Sequence, residues 1–154
     1  MMLINSEEIS IGVVVSLFNE GITSALKTGA VQRLRELGVA EDNIKIYEVP
    51  GAIEIPLTAK LLAKTKKYDA IIALGAVIRG ETSHYDYVCS QVSTGCQQVM
   101  MEYEIPVIFG ILTTETETQA LDRVGGKQGH KGHEAADVAL RMVEVARSIS
   151  KKTY

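Results

Sequence analysis

No apolar run in this 154-residue chain approaches the ~20 residues that span a bilayer, so no membrane partner is expected. The first residues, MMLINSEEIS, lack the positive segment and following apolar stretch of a secretory signal; a cytoplasmic location is therefore expected. No basic excess exists: 16 Lys and Arg stand against 19 Asp and Glu, a net charge of −3. That balance excludes electrostatic capture of nucleic acid as a working hypothesis. Only two cysteines occur, Cys89 and Cys96. Seven residues apart in a helical pattern they sit roughly 10 Å apart along the axis, too far for a disulfide. They read as buried helix cysteines, with a reactive thiol pair as the lesser alternative. No internal repeat, low-complexity tract or linker interrupts the chain, and the length predicts a single domain over residues 1–154.

Several catalytic signatures are absent too. No G-x-G-x-x-G opens the first helix, which argues against a dinucleotide site. There is no P-loop, and no Ser or Cys sits in a nucleophile elbow. His130-Lys131-Gly132-His133 has histidines one helical turn apart. Glycines break the geometry, however, and only Glu134 stands close by, so no metal site is expected.

What remains is an alternation of apolar runs and amphipathic stretches. Ile11–Ser16, Ile44–Val49, Ala70–Ile78 and Val107–Leu112 read as strands, the first buried on both faces. Helices are predicted over Ile22–Leu37, ended by Gly38, and over Glu54–Thr65, His84–Tyr103 and Glu117–Val124. A last helix carries Ala135, Ala139, Met142, Ala146 and Ile149 as its apolar stripe. Gly125–Gly132, with four glycines in eight residues, reads as a loop. This βαβαβαβα order predicts an α/β protein: a parallel sheet with helices on both faces. Ligands in such sheets sit beyond the carboxyl ends of the strands. Phe18-Asn19, Pro50–Glu54, Arg79–His84 and Thr113-Thr114 are then the places to look.

The richest of these is the turn after the third strand. Arg79, Gly80, Thr82, Ser83 and His84 fall within six positions. Glycine allows close backbone approach, and hydroxyls with free N–H groups at a helix start suit an anion. Histidine moves protons near neutral pH. The turn reads as a phosphate site with a proton-transfer residue attached, with Thr82 or Ser83 also capping the helix. Glu81 fits only if its N–H faces the anion and its carboxylate faces solvent. In VPGAIEIP (Val49–Pro56), prolines and a glycine fix the backbone. There Glu54 is either a helix-start charge or an acceptor for polyol hydroxyls. Arg123, Lys127 and Lys131 among glycines read as either a phosphate clamp or a solvated loop. Of the two phenylalanines, Phe18 is better placed than Phe109 to stack on a flat heterocycle.

Together these segments resemble the lumazine synthase family. The marks are Phe18-Asn19, VPGAIEIP, KYDAIIALGAVIRGETSHYDYV (Lys67–Val88), IPVIFGILTTE (Ile105–Glu115) and Arg123 with the GHKG loop. The resemblance implies a three-layer α/β/α sandwich with a flavodoxin-like, four-stranded parallel sheet and no cofactor. It implies two small-molecule substrates, 5-amino-6-(D-ribitylamino)uracil and 3,4-dihydroxy-2-butanone 4-phosphate. These condense to 6,7-dimethyl-8-ribityllumazine, phosphate and water in riboflavin biosynthesis. It implies a homo-oligomer, a pentamer with sites between subunits. The uninterrupted Arg123–Lys131 segment resembles that of members forming sixty-subunit icosahedral capsids of twelve pentamers; riboflavin synthase is a further implied partner.

Carried over by position, Phe18 stacks on the pyrimidine. Ala52, Ile53 and Glu54 hold the uracil and ribityl chain, and Ala76, Val77 and Ile78 line the pyrimidine pocket. Phe109 and Lys131 contact the substrate as well, Phe109 from the neighbouring subunit. Glu81, Thr82 and, from across the interface, Arg123 bind phosphate, and His84 is the general acid/base. The resemblance departs at Ile53, where many members carry an aromatic. Two rivals share the fold class: a non-enzymatic flavin or lumazine binder, which has no use for a phosphate turn and a histidine, and a flavodoxin-type electron carrier. The latter needs a phosphate loop after the first strand, where Phe18-Asn19-Glu20-Gly21 lacks the hydroxyls.

Overall fold

A computed structural model describes residues 5–150. Residues 1–4 and 151–154, the ends of the expected single domain and the start of the N-terminal segment, lie outside the described residues. Strands β1 (Ile11–Ser16), β2 (Ile44–Val49), β3 (Ala70–Ile78) and β4 (Val107–Thr114) form one parallel sheet in the order β2-β1-β3-β4. Helices α1 (Glu20–Glu36) and α5 (Lys131–Ser150) cover one face; α2 (Ile55–Thr65) and α3 (His84–Tyr103) cover the other. This is the expected three-layer α/β/α arrangement. No helix among the described residues is long and apolar enough to cross a membrane.

The layers follow from strand alternation. In β3, Ala70, Ile72, Leu74 and Ala76 join the core beneath α1 and α5, while Ile71, Ala73 and Val77 join that beneath α2 and α3. Both faces are covered, so the strand is apolar throughout. Edge strand β2 is different: only Ile44 and Val49 are buried.

Several boundaries differ from expectation. Helix α1 starts at Glu20, and Gly38 follows its end at φ +96°, the left-handed conformation that suits glycine. Ala52–Glu54 forms a 3-10 turn, and α2 begins only at Ile55, with Pro56 in its first turn. Two β-branched threonines extend β4 to Thr114. The short helix α4 (Glu117–Leu121) stops before Val124. Val124 instead enters a hairpin of β5 (Val124–Gly126) and β6 (Gly129–His130), where a loop was expected. Glycine has no side chain, so a strand made of it leaves no alternation to read.

The apolar stripe of α5 also needs correction. Its buried residues include Ala135, Ala136, Ala139, Leu140 and Val143, whereas Met142, Ala146 and Ile149 are exposed. Stripes offset by one residue both satisfy the helical period, and packing chose the one carrying Leu140 and Val143. In α3, Cys96 is buried as expected and Cys89 is half-buried; both are free thiols. Burial pushes the Cys96 thiol up to about 11.

Strand pairing opens the site. The β1–β3 ladder ends at Val15 and Leu74, but β3 continues beside β4 as far as Ile78 and Thr114. Beyond Leu74, β3 therefore presents an unpaired backbone edge where β1 turns away.

Candidate active site

A cleft of about 320 Å³ occupies that opening at the carboxyl ends of the strands. Its floor is Ala76, Val77 and Ile78. Backbone carbonyls alternate in direction along a strand. The Ala76 carbonyl accepts a bond from Asn19 Nδ2 at 3.0 Å, so it points toward the vacated β1 side, and the polar groups of Ile78 share that direction. Arg79 N–H donates the other way, to the Thr114 carbonyl at 2.9 Å.

One wall comes from the turn after β1. Asn19 lies at φ 64°, ψ 51°, a left-handed conformation that asparagine tolerates better than most residues. Phe18 N–H donates to the Pro50 carbonyl at 3.1 Å. These contacts hold the backbone on both sides while the Phe18 ring stays 72% exposed. Ile53, 42% exposed, lines the same cleft. Water-facing apolar surface held by a rigid turn is a platform for a flat ligand. Glu54 is partly engaged: its Oε1 accepts from Gly51 N–H at 2.9 Å. It thus serves both as a turn-closing charge and as a carboxylate lining the cleft.

The opposite wall is the turn into α3. Thr82 and His84 line the cleft, and His84 is exposed as the first residue of the helix. Thr82 Oγ1 accepts from His84 N–H at 3.3 Å, which leaves its own O–H to donate. Ser83 is the cap residue by position but makes no side-chain cap bond. Glu81 is exposed in the same turn and is not among the cleft residues.

Arg79 does not act as expected. Its Nε donates to Glu115 Oε2 at 2.6 Å and its terminal nitrogens to the two Asp86 oxygens at 3.0 and 3.3 Å. The guanidinium also lies 4.4 Å from the centre of the Tyr85 ring. Two carboxylates and an aromatic face satisfy it, with the Asp86 hydrogen bond the largest influence raising its pKa. The turn after β3 supplies hydroxyl and amide donors, and its cation is already paired.

Free cationic groups line a second cleft, of about 480 Å³, at the end of β4. Arg123, Lys131 and Phe109 line it, with Glu115, Gln119 and Glu134. Arg123 is held by one terminal nitrogen donating to the Gln119 carbonyl at 2.8 Å. Arg79 stands between the clefts, stacked on Tyr85 of the first and bonded to Glu115 of the second. Apart from Glu81, the expected site residues therefore fall into two groups on one chain. Phe18, Ala52, Ile53, Glu54, Ala76, Val77, Ile78, Thr82 and His84 share the first cleft; Phe109, Arg123 and Lys131 share the second.

Residue-by-residue reading gave Asn19 no role of its own. Its position straight after Phe18, at a strand's carboxyl end, was the available signal. Tyr85 and Val88 also line the first cleft, and Val88 follows His84 by one helical turn.

A doubly covered parallel sheet with a mostly apolar cleft at its carboxyl end, beside a hydroxyl-and-histidine turn, defines an α/β protein with a small-molecule site. Comparison with known proteins narrows the class. Residues 8–147 match the family model described as 6,7-dimethyl-8-ribityllumazine synthase. Three similar relatives carry that same name, from Coxiella burnetii strains CbuG_Q212, RSA 493 / Nine Mile phase I and Dugway 5J108-111. Each is 57% identical over 139 residues, covering 90% of this chain and 92% of the relative. The chain belongs to the 6,7-dimethyl-8-ribityllumazine synthase family, and it is an enzyme, a transferase. The family places it in riboflavin biosynthesis, and the non-enzymatic alternative is not favoured.

Proposed function

We propose that the protein condenses 5-amino-6-(D-ribitylamino)uracil with 3,4-dihydroxy-2-butanone 4-phosphate, giving 6,7-dimethyl-8-ribityllumazine, phosphate and water. The observation that carries this reading is the split of the site. The first cleft has a stacking ring, a free strand edge, a carboxylate and a histidine, but its neighbouring arginine is paired. Arg123 and Lys131, the cations suited to phosphate, line the second cleft. Two copies placed so that one chain's first cleft meets the next chain's second would complete the site. This supports a homo-oligomer; from the family resemblance we take it to be a cytoplasmic pentamer, with twelve pentamers forming a shell and riboflavin synthase as a further partner. Light scattering separates pentamer from shell.

On this reading Phe18 stacks on the pyrimidine and the Ile78 backbone groups pair with its polar edge. Glu54 accepts from ribityl hydroxyls. The partner's Phe109 packs on the ring and the partner's Lys131 lies near the ribityl and phosphate groups. The phosphate is held by the Glu81 N–H, the Thr82 hydroxyl and the partner's Arg123. The substrate amine attacks the ketone carbonyl and water leaves. Phosphate is then eliminated, and ring closure expels a second water. His84 carries protons between these steps; the protein's main contribution is position.

Mixing both substrates with purified protein should produce lumazine absorbance and fluorescence; no product would end this proposal. Arg123→Ala should raise KM for the phosphorylated ketone by about 10- to 100-fold, the worth of a lost charge-assisted bond. Arg79→Ala should change the same KM by less than about threefold, because its partners are Asp86 and Glu115. Equal effects would place Arg79 in the clamp. Co-assembling Arg123→Ala with His84→Ala chains should restore about a quarter of the interfaces. No recovery would mean that each chain holds its own complete site.

A further inference from the structure

We propose that His130 is a positioning residue: its imidazole, seated in a glycine-lined slot on α1, sets where Arg123 and Lys131 stand in the second cleft. The inference rests on the phosphate-binding reading of those two cations.

The hairpin between Arg123 and Lys131 is too short to be stable alone. Its two strands hold five residues and carry a register irregularity between Val124 and Gly126. Backbone bonds close its base, with Gln128 N–H to the Asp122 carbonyl at 2.9 Å and Lys131 N–H to the Arg123 carbonyl at 2.7 Å. Two side chains dock it on the rest of the molecule: Val124 packs against the core beneath α1 and α5, and His130 reaches α1 itself. A Cβ on Gly29 would overlap His130 Cε1 and would lie 2.7 Å from Nε2. Gly132 closes the same slot, since a Cβ there would overlap the Leu26 carbonyl oxygen. Gly29 sits inside α1, where glycine disfavours the helix; contact with this imidazole gives it a physical reason.

The ring also starts α5. Nδ1 accepts from Gly132 N–H at 3.1 Å and from His133 N–H at 3.3 Å, satisfying two amides that a helix start leaves unpaired. His130 pairs with Val124 in the hairpin, so Arg123 and Lys131 are chain neighbours of the pinned pair. One side chain thus joins α1, the hairpin and the first turn of α5.

The arrangement requires a neutral ring protonated on Nε2, because imidazolium has no acceptor. The groups around it set that state. From α5, His133, with its ring centre 5.5 Å away, opposes a charge, and Glu134 favours one. From α1 it meets Gly29, and from β5 its Cδ2 lies near Gly125. Burial is the largest influence and holds the pKa below the ordinary imidazole value. The free chain therefore binds the proton first. The seated state is complete above about pH 6.5 and is lost as pH falls below it.

The test uses the assembled full-length enzyme. His130→Ala and Gly29→Ala should each raise KM for the phosphorylated ketone about tenfold and leave KM for the pyrimidine within about twofold. His130→Asn, whose Oδ1 can accept where Nδ1 did, should stay within about threefold of the parent. Below about pH 6.5 the parent's KM for the ketone should rise more steeply than that of His130→Asn. Titration of the substrate phosphate is common to both proteins and cancels in the difference. Matching pH profiles, or equal changes in both KM values, would overturn the proposal. Amide exchange at Gly132 and His133 should quicken in His130→Ala and remain slow in His130→Asn. Unchanged exchange overturns the cap even if an alanine variant is inactive. A parent enzyme that makes no product at all would instead refute the phosphate reading, and amide exchange would still judge the cap.

Discussion

Replacing His84 by alanine should lower kcat by roughly 10²- to 10⁴-fold, the usual worth of a positioned acid/base group, with both KM values within about threefold. His84 is the first residue of α3, exposed at the mouth of the first cleft, so its removal leaves no cavity and breaks no core contact. The floor built by Ala76–Ile78 and the Phe18 wall do not depend on it. Both substrates bring their own reactive groups, so juxtaposition alone retains part of the rate. Steady-state kinetics on the folded variant checks this. Complete loss of turnover with normal substrate binding would show that proton transfer, rather than position, dominates. An unchanged kcat would remove His84 from the chemistry.

Leu74→Ala should destabilise the subunit by about 2–5 kcal/mol. Leu74 is fully buried on the central strand β3 and belongs to the core beneath α1 and α5. Its Cδ2 lies 2.7 Å from where a Cβ on Gly110 would stand, so strand β4 approaches it closely. Neighbours bound into a sheet cannot collapse to fill the space, which puts the cost above simple transfer. Denaturant unfolding at matched protein concentration measures the effect, because oligomer assembly adds its own contribution to stability. A loss under about 1 kcal/mol would mean that the core repacks freely. Leu74 also forms the last β1–β3 pair, with Val15. Local loosening there should reach the cleft floor and raise KM for the pyrimidine.

The four strands of the main sheet were legible because each is a run of β-branched and aliphatic residues bounded by turn residues. A strand covered on both faces must be written that way. Positions after strands were legible as cleft positions for the same reason: Phe18, Glu54, Thr82 and His84 all line the first cleft. Elements without an apolar signature were not. The β5–β6 hairpin is mostly glycine and was read as a loop. The stripe of α5 was misplaced toward Met142, Ala146 and Ile149, because helical spacing fits neighbouring stripes and only packing selects one.

The electrostatics of the site were less legible still. Arg79 sits in the sequence beside Gly80, Thr82 and His84, and adjacency suggested a phosphate ligand. Its carboxylate partners are Asp86, in the first turn of α3, and Glu115, 36 residues away after β4. Nothing local in the sequence reports a pair closed by the β3–β4 ladder.

By itself the sequence determined the alternation of strands and helices, the parallel sheet and the order of chemically loaded segments after each strand. Those depend on local periodicity and on what a doubly covered strand must bury. Only the tertiary structure decided which cations are free, that the candidate residues divide between two clefts, and that His130 docks on Gly29. Each of these depends on the distance between elements far apart in the chain, which side-chain packing sets and residue order does not encode locally.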